Sequence, residues 1–222
     1  MKINDTNIST YNAQLLGYKL SNSNITTNSS SNHIYFNSEI GEKQLSIRLF
    51  VKETSREDIE ITISKLTNAL KGKNIISFTE NENMLYDCIY NSSAIEDIVY
   101  NGKILTYTFK AIQTSTENTV IISALTTTIT LEGTDDIPCI IEITPIVDIE
   151  EFTINDITIT NLTSNEKVII NGEKITVTEE GVNKFGDTNI TEFPKLNLGT
   201  NTITVSDITN ANTVIKYKNR YI

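Results

Sequence analysis

The sequence predicts a mainly β protein in which a first β domain with one packed α-helix is followed by an antiparallel β-sandwich. Two observations support this class: apolar and polar residues alternate in short runs through most of the chain, and one stretch, Thr54 to Gly72, repeats at helical spacing instead. A third observation divides the chain, because Thr114-Ser115-Thr116-Glu117-Asn118 contains no apolar residue. We therefore predict domains at residues 1–116 and 117–222, each long enough for a hydrophobic core.

The first domain opens with apolar clusters around Ile3–Ile8 and Leu15–Leu20, which predict one or two short strands. The next strand is Leu45–Val51, in which every second residue is apolar and lies on one face. Arg48 and Phe50 share the opposite face. An aromatic side chain on a solvent-facing side indicates a contact surface, although a second covered face explains it equally well. Arg48 and Phe50 are therefore candidate interface residues.

The segment Ser21–Glu42 is rich in Ser, Thr and Asn and has little apolar surface to bury, so it predicts a long loop or arm. Two interpretations stay open: a surface loop, or an arm that becomes ordered against a partner. Under the second interpretation Asn24, Asn28 and His33 are further candidate interface residues. His33 is the single histidine of the chain, and its polar surroundings are not typical of a metal site or a catalytic triad.

A helix is predicted after the strand Leu45–Val51. Thr54 and Glu57 form a capping-box pattern, in which each side chain bonds the other residue's backbone N–H. Four apolar residues then recur on one helical face: Ile59, Ile63, Leu66 and Leu70. Gly72 supplies a left-handed stop. An isolated helix of this length is marginal in water, so we expect its apolar stripe to lie on a sheet.

Strands are predicted at Ile75–Thr79 and Met84–Tyr90, followed by a hairpin of Ile95–Tyr100 and Lys103–Ala111. Asn101-Gly102 between the last two strands is a strong hairpin signal, because both residues tolerate positive φ. In the second arm Leu105, Tyr107, Phe109 and Ala111 alternate with polar residues and predict one buried face.

The second domain shows strand patterns alone, which favours an antiparallel sandwich. The predicted strands are Thr119–Leu131, Pro138–Thr144, Phe152–Thr160, Lys167–Ile170, Lys174–Thr178, Asn201–Val205 and Thr213–Tyr217. Asn171-Gly172 predicts a second tight hairpin. The segment Glu192–Val205 is interpreted as a loop and corner, in which Gly199 takes positive φ and Asn201 bonds nearby backbone.

The charge balance excludes several partners. The net charge of −10 and the pI near 4.6 argue against specific nucleic-acid binding and against an anionic membrane held by bulk charge. No apolar run approaches the ~20 residues that a membrane-spanning helix needs, so no membrane insertion is expected.

No motif predicts catalysis. The chain contains no phosphate-binding glycine loop, no cysteine pair at metal spacing and no nucleophile elbow, so we predict no catalytic, cofactor-binding or metal-ligating residue and no cofactor. Asp148, Glu150 and Glu151 lack the rest of a calcium loop and are interpreted as a solvated surface. Cys88 and Cys139 are predicted to be small buried residues that stay reduced. An enzyme is thus the least favoured class.

In its order of features, the whole chain resembles the distal tail protein (Dit) family of long-tailed bacteriophages. In the first domain the resemblance depends on Leu45–Val51, the helix from Thr54-Ser55-Arg56-Glu57 to Leu70-Lys71-Gly72, and Tyr86-Asp87-Cys88-Ile89-Tyr90. In the second it depends on Gly133-Thr134, Pro138–Ile143, Val168-Ile169-Ile170-Asn171-Gly172, Phe193-Pro194-Lys195-Leu196 with Gly199, Asn201 and Ile203, and the closing Ile215–Ile222. Each of these motifs is structural, and their joint order carries the likeness.

The resemblance implies a split-barrel-like N-terminal domain and a galectin-like C-terminal sandwich. It also implies a structural virion protein at the tail tip or baseplate, made in the cytoplasm of a bacterial host. Such proteins form a homo-hexameric ring that joins the tail tube protein to the tail-tip hub, or tail-associated, protein, and they often carry a receptor-binding protein. DNA passes through such a ring, and an acidic lining would repel it rather than hold its phosphates.

Two alternatives stay open. The C-terminal sandwich could be a carbohydrate-binding adsorption module, although the absence of tryptophan and of a long insertion argues against this. The chain could also be a baseplate or tube subunit of a contractile particle, but a tube subunit usually has one domain.

Overall fold

The computed structural model describes residues 1–21, 25–29, 35–40, 43–99 and 101–221, without the side chains of 25–29, 35–40 and 97–99. It divides into two compact units between Thr114 and Ser115, with the end of the chain from Tyr221 assigned to the first unit. The structure is mainly β with one α-helix, which confirms the predicted fold class.

The first unit contains nine strands and one α-helix among the described residues. They are β1 (Lys2–Ile3), β2 (Thr6–Asn7), β3 (Ala13–Ser21), β4 (Ile25–Ser29), β5 (Tyr35–Ile40), β6 (Lys43–Lys52), α1 (Arg56–Ala69), β7 (Lys73–Phe78), β8 (Asn81–Val99) and β9 (Gly102–Ser115). A 3-10 helix at Ile8–Tyr11 precedes β3, and the two-residue strand Arg220–Tyr221 pairs with β9.

The main sheet of this unit is curled. Its strand order is β2-β1-β7-β8-β9-β6-β3, so three strands separate β7 from β3. Nevertheless, the ring of Tyr18 on β3 stacks on that of Phe78 on β7, with 3.7 Å between ring centroids. A flat sheet would hold these strands far apart, since neighbouring strands are ~4.8 Å apart. The inner faces of the sheet therefore curl around one core.

The helix closes that core. Leu45, Ile47, Leu49 and Val51 are all buried on one face of β6, as the alternation predicts, and Leu105, Tyr107, Phe109 and Ala111 are buried on β9. Ile59, Ile63, Leu66 and Leu70 of the helical segment belong to the same core cluster. The Thr67 hydroxyl and the Tyr107 hydroxyl are 2.9 Å apart, which adds one hydrogen bond between helix and sheet.

The cap of α1 differs from the prediction. Ser55, not Thr54, is the N-cap residue, and its hydroxyl oxygen accepts a hydrogen bond from the Asp58 backbone N–H at 3.1 Å. Asp58 accepts hydrogen bonds from both the Ser55 and the Thr54 hydroxyls. Both Thr54-x-x-Glu57 and Ser55-x-x-Asp58 fit the sequence pattern. The helix begins at Arg56, so Ser55 is the residue placed to cap its first free amides.

Replacing Ser55 by alanine is expected to lower the free energy of unfolding by about 1 kcal/mol, since the Asp58 amide loses its acceptor. Thr54→Ala is the matched control. Its hydroxyl bonds the Asp58 carboxylate and no backbone amide, so its loss should cost less. Chemical denaturation of both variants measures the difference, and an equal loss in the two would contradict the cap assignment.

The polar segment after β3 is only partly a loop. In its described part β4 and β5 form an antiparallel pair, in which Asn28 lies opposite Asn37, so the prediction of a loop throughout is wrong. Thr, Tyr, Phe and Ile favour strands here, and the many Ser and Asn residues conceal them in the composition. Asn24 and His33 lie outside the described residues.

Strand β8 is longer than predicted. It runs for 19 residues through Asn91-Ser92-Ser93, where polar residues suggested a break between two strands. A strand with no buried face needs no apolar alternation, so the periodicity fails to mark it.

The second unit is all β apart from one 3-10 turn at Phe185–Asp187. Its strands are β10 (Asn118–Ile122), β11 (Thr126–Leu131), β12 (Ile137–Pro138), β13 (Ile140–Pro145), β14 (Ile149–Ile154), β15 (Ile157–Leu162), β16 (Val168–Asn171), β17 (Thr176–Glu179), β18 (Val182–Asn183), β19 (Lys195–Leu196), β20 (Gly199–Thr204) and β21 (Ala211–Tyr217). The predicted strands Thr119–Leu131 and Phe152–Thr160 are each two strands. The second turns at Asn155, which has φ +49°.

These strands form a two-layer sandwich. One layer is the six-stranded sheet β10-β21-β13-β16-β17-β18, and the other is built from the pairs β11-β20 and β14-β15, joined by a bridge between Ile154 and Val205. A single core fills the space between them, with Ile143 and Ile215 from the first layer packed with Phe152 and Ile203 from the second. The described strand pairs of this unit are antiparallel, as predicted.

Two glycines act differently in this unit. Gly199 has φ +88°, and the Asn201 side chain bonds the backbone N–H and C=O of Asn197 at 2.8 Å each, which confirms the predicted corner. Asn171-Gly172 is not a two-residue turn, because Asn171 pairs with Thr176 across a loop of residues 172–175. Gly172 is required for space instead: a Cβ there would lie 2.4 Å from the Pro194 carbonyl oxygen.

Candidate interaction surfaces

The titratable and thiol groups of the described residues were compared first. Among them no group of three or more His, Cys, Asp and Glu side chains could hold a metal ion. Cys88 and Cys139 are unpaired and buried, and burial raises the pKa of each thiol to about 12, so both are protonated at neutral pH. No helix in the described part of the chain is long and apolar enough to span a membrane. Two surfaces of the first unit and one turn of the second are described next.

The first surface is a free edge of the sheet. β7 pairs with β8 only over Asn81–Ile89, and β9 is the one other neighbour of β8 among the described strands. The Tyr90 N–H still donates to the Gly72 carbonyl at 3.4 Å, and beyond Tyr90 one edge of β8 has no partner strand among the described residues. Residues 91–96 are exposed on both faces, including Ile95, which is 52% exposed. Such an edge presents backbone N–H and C=O groups that a further strand can pair with.

The second surface is the outer face of β3, β6 and β9. Arg48 and Phe50 both lie on it, as predicted, but in different surroundings. The Arg48 guanidinium is exposed and 3.6 Å from the Glu96 carboxylate of β8, a distance that makes a weak, solvent-screened ion pair. Phe50 is half-buried between its cross-strand neighbours Gln14 and Ile104.

This outer face is cationic in an otherwise acidic chain. Three exposed lysines share its side of the strands with Arg48: Lys19, Lys52 and Lys110. On β3 the register shifts between Leu15 and Gly17, and this bulge leaves Leu16 49% exposed. Bulges bend and twist an end strand, which limits its own pairing.

In the second unit a buried lysine fixes a surface turn. Lys184 precedes the 3-10 turn Phe185–Asp187, and its ammonium donates hydrogen bonds to the Asn161 carbonyl at 2.7 Å and to the Glu179 carboxylate at 2.8 Å. Its distance to the Asp187 carboxylate is 3.2 Å. Burial is the largest single effect and lowers the pKa of Lys184, but the hydrogen bonds and negative charges of Glu179 and Asp187 together raise it above the ordinary value. The lysine therefore stays charged and joins three segments.

The comparisons with known proteins agree with this architecture. Residues 132–221 match the family described as siphovirus-type tail component, C-terminal domain. This part of the chain, called the tail component domain below, is similar to that family. The resemblance to distal tail proteins stated from the sequence is thereby confirmed, with the tail component domain occupying most of the second unit. No curated protein matches the chain.

Solved structures extend the likeness beyond the tail component domain. The Dit protein of phage SPP1, described as a paradigm of hub adsorption apparatus in Gram-positive-infecting phages, is similar with a TM-score of 0.73 and 11% identity, covering 97% of both chains. Two chains from the phage p2 baseplate in its activated conformation, with Sr and with Ca, have TM-scores of 0.58 and 0.53 at 14% and 13% identity. Each covers 97% of this chain and 93% of the baseplate chain. At these identities the likeness establishes the fold.

The structure therefore brings two of the candidate interface residues onto one face and leaves the others undecided. Arg48 and Phe50 share the cationic face, Asn28 has its backbone in β4, and Asn24 and His33 are outside the described residues. Sequence reasoning missed the free edge of β8 and the turn held by Lys184. The run of four polar or small residues before Ile95, Asn91-Ser92-Ser93-Ala94, was a signal for the edge, while nothing local marks the partners of Lys184.

Proposed function

We propose that this protein is a structural subunit of a phage tail tip or baseplate, in which the first unit builds a six-fold ring. The role is architectural rather than enzymatic. The match of residues 132–221 supports the assignment to a tail, and the fold shared over nearly the whole length with a hub protein supports the place within it.

The observation that carries the ring is the free edge of β8. In a closed ring, one surface of each subunit contacts a different surface of the next subunit. The free edge of β8 therefore needs a strand on the neighbouring subunit to pair with. The hairpin β4–β5 has the required properties. It is a sheet of its own, with no third strand among the described residues, and a two-stranded sheet alone is marginally stable in water. Pairing with β8 of the next subunit would stabilise both.

The cationic face then contacts other proteins of the tail rather than DNA. Lys19, Arg48 and Lys110 would neutralise phosphates and hold DNA if they lined the bore. A tail must release DNA, and the net charge of −10 supports a lining made by other parts of the surface. Arg48 and Phe50 are therefore proposed to dock against the tail tube or the hub protein. Asn28 lies in the hairpin proposed to join subunits, and Asn24 and His33, outside the described residues, are proposed as further contacts between subunits.

Light scattering of the purified full-length chain tests this proposal. We expect a mass of six subunits and closed rings in negative-stain images, at micromolar concentration and physiological salt. If the purified, folded protein remains a monomer at every concentration measured, the proposed ring is contradicted. Absence of the chain from the tip of native particles, probed by labelled antibody, would contradict the tail assignment itself.

A further inference from the structure

The second unit has an unpaired strand edge beside a pit in its core. β20 pairs with β11 along its whole length, but on its other side it meets β14 only near its end. There the Asn155 N–H donates to the Thr204 carbonyl, and the Thr204 N–H donates to the Asn155 side chain, each at 2.8 Å. The chain turns away at Asn155, so the rest of this edge of β20 has no neighbouring strand among the described residues.

The hydrogen-bond pattern shows which backbone groups are free. The Val205 N–H donates to the Leu125 carbonyl, and the backbone groups of successive residues point to opposite sides of a strand, so the odd-numbered residues of β20 bond β11. The N–H and C=O groups of Thr200 and Thr202 therefore point to the other edge, where no described residue bonds them. Such an edge is a template for one more strand.

A pit of about 290 Å³ opens on the same side of β20. Its walls and floor contain six isoleucines, contributed by both layers of the sandwich and by the segment before β19: Ile141, Ile154, Ile157, Ile190, Ile203 and Ile215. Isoleucine is stiff at χ1, so these walls keep their shape. The pit has roughly twice the volume of a cavity that accommodates benzene, which is room for one large apolar side chain.

The rim of the pit is fixed by contacts of its own. The Asn189 side chain accepts a hydrogen bond from the Thr158 N–H at 2.7 Å and donates one to the Asp156 carbonyl at 3.1 Å. Phe193, which also lines the pit, stacks on Phe185 with 6.1 Å between the ring centroids. The opening is therefore preformed, and a side chain that enters it requires little rearrangement.

The rim carries an unbalanced negative charge. Lys195 and Glu192 are 2.5 Å apart and neutralise each other, whereas the Asp156 carboxylate has no partner in the part of the chain that the structure describes. Between Ser115 and Arg220 acidic residues outnumber basic ones by more than two to one. A basic side chain beside the pit would meet a complementary charge there, and an acidic one would be repelled.

We propose that this edge and pit bind an extended segment of a partner protein. The segment adds to the second layer as a strand beside Thr200 and Thr202, inserts one large apolar side chain into the pit and places a basic residue near Asp156. Only a polypeptide backbone pairs with the free groups of the edge, and a small apolar molecule would leave them unpaired. The site goes beyond the proposed ring and is complete within one unit, so a monomer should bind as a ring does.

Saturation-transfer NMR on the full-length chain tests the proposal with capped peptides. The probes are acetyl-Lys-Thr-X-Thr-Lys-Thr-amide, in which X is Leu, Phe or Ala, and the Leu peptide with both lysines replaced by glutamate. The Leu or the Phe peptide should bind with a Kd below about 1 mM. The Ala peptide should bind at least about tenfold more weakly because it leaves the pit empty, and the glutamate peptide should also bind more weakly.

Methylation of the peptide nitrogens distinguishes strand addition from insertion of a side chain alone. Alternate N–H groups of an added strand face β20, so N-methylation of the even residues and of the odd residues of the Leu peptide should have different effects. One version should lose binding and the other should keep most of it. Equal effects in the two versions would overturn the proposal, and so would a lack of binding by every unmethylated peptide at about 5 mM.

Thr202→Pro removes an N–H from the free edge and should abolish binding of the Leu peptide. Thr128→Pro is the matched control: Thr128 is opposite Thr202 on β11, is also exposed, and its N–H faces the far edge of the same strand pair. This control should bind as the unmodified chain does, and circular dichroism checks that both variants are folded. Binding by a folded Thr202→Pro variant would show that the peptide lies elsewhere.

Asp156→Asn tests the charge without a proline, since asparagine keeps the shape of the side chain. It should weaken the Leu peptide about threefold, the size of one exposed ion pair. Glu150→Gln removes the same charge from an exposed position that does not line the pit, and it should have no effect. Equal binding by the two variants would contradict the placement of a basic residue at Asp156.

Discussion

A chain in which residues 22–42 are replaced by Asn-Gly is expected to fold as a monomer and to lose ring assembly altogether. Ser21 and Gln44 already pair across β3 and β6, so Asn-Gly with Lys43 closes a short hairpin between them without moving either strand. The neighbour's β8 would then lack the strand that is proposed to cover it.

Light scattering gives the mass of this variant, and circular dichroism with thermal unfolding checks that it is folded. A second variant, Ser92→Lys with Ala94→Lys, tests the receiving edge, because lysines on an edge strand discourage pairing and both positions are exposed. Ile121→Lys is its control, at a site 71% exposed in the other unit, and it should still assemble. Rings formed by the variant lacking residues 22–42, or by the variant with Ser92→Lys and Ala94→Lys, would show that the hairpin and β8 do not join the subunits.

Gly172→Ala is expected to cost the second unit about 3 kcal/mol of unfolding free energy, near the upper end of overpacking effects. The added Cβ would lie 2.4 Å from the Pro194 carbonyl oxygen and 2.8 Å from that of Cys139. Both contacts are backbone atoms, so no side chain can rotate away. The same backbone is held by hydrogen bonds from the Gly172 N–H to the Cys139 carbonyl and from the Cys139 N–H to the Pro194 carbonyl.

Differential scanning calorimetry should show the melting transition of this unit about 10–20 °C lower. Gly186→Ala is the control, since no atom lies within 4 Å of its added Cβ and its φ is not in the left-handed region. A loss of less than about 1 kcal/mol for Gly172→Ala would mean that the loop of residues 172–175 moves freely past Pro194. In that case Phe193, beside Pro194, would not be held against Phe185 either.

The parts of the fold that the sequence predicted are those in which one face is buried. The alternation over Leu45–Val51 and the stripe from Ile59 to Leu70 follow directly from which side chains leave water. The prediction missed the strands β4 and β5 and divided β8 into two strands. Residues 91–96 of β8 are exposed on both faces, so no alternation of apolar residues marks them as a strand. The prediction of a tight hairpin at Asn171-Gly172 was wrong because it assumed that Gly172 was needed for positive φ. The structure requires glycine there because a larger residue would collide with the backbone.

The candidate surfaces were less predictable, because they are assembled from distant parts of the chain. Lys184 finds Asn161 and Glu179, and Phe185 faces Phe193, with no local motif that relates any of these pairs. Arg48 and Phe50 were found because an aromatic residue interrupted an otherwise polar face. Periodicity reports burial within one element, whereas contacts between loops depend on the finished sandwich.

The two enclosed thiols have a practical consequence for studying the assembled particle. With a pKa of about 12, fewer than about one in ten thousand of them is a reactive thiolate at pH 8. A cysteine introduced on the surface would therefore be the preferred target of a maleimide dye while the native pair stays in place. Fluorophores attached at chosen positions could then follow the opening of a tail in real time on otherwise unaltered subunits.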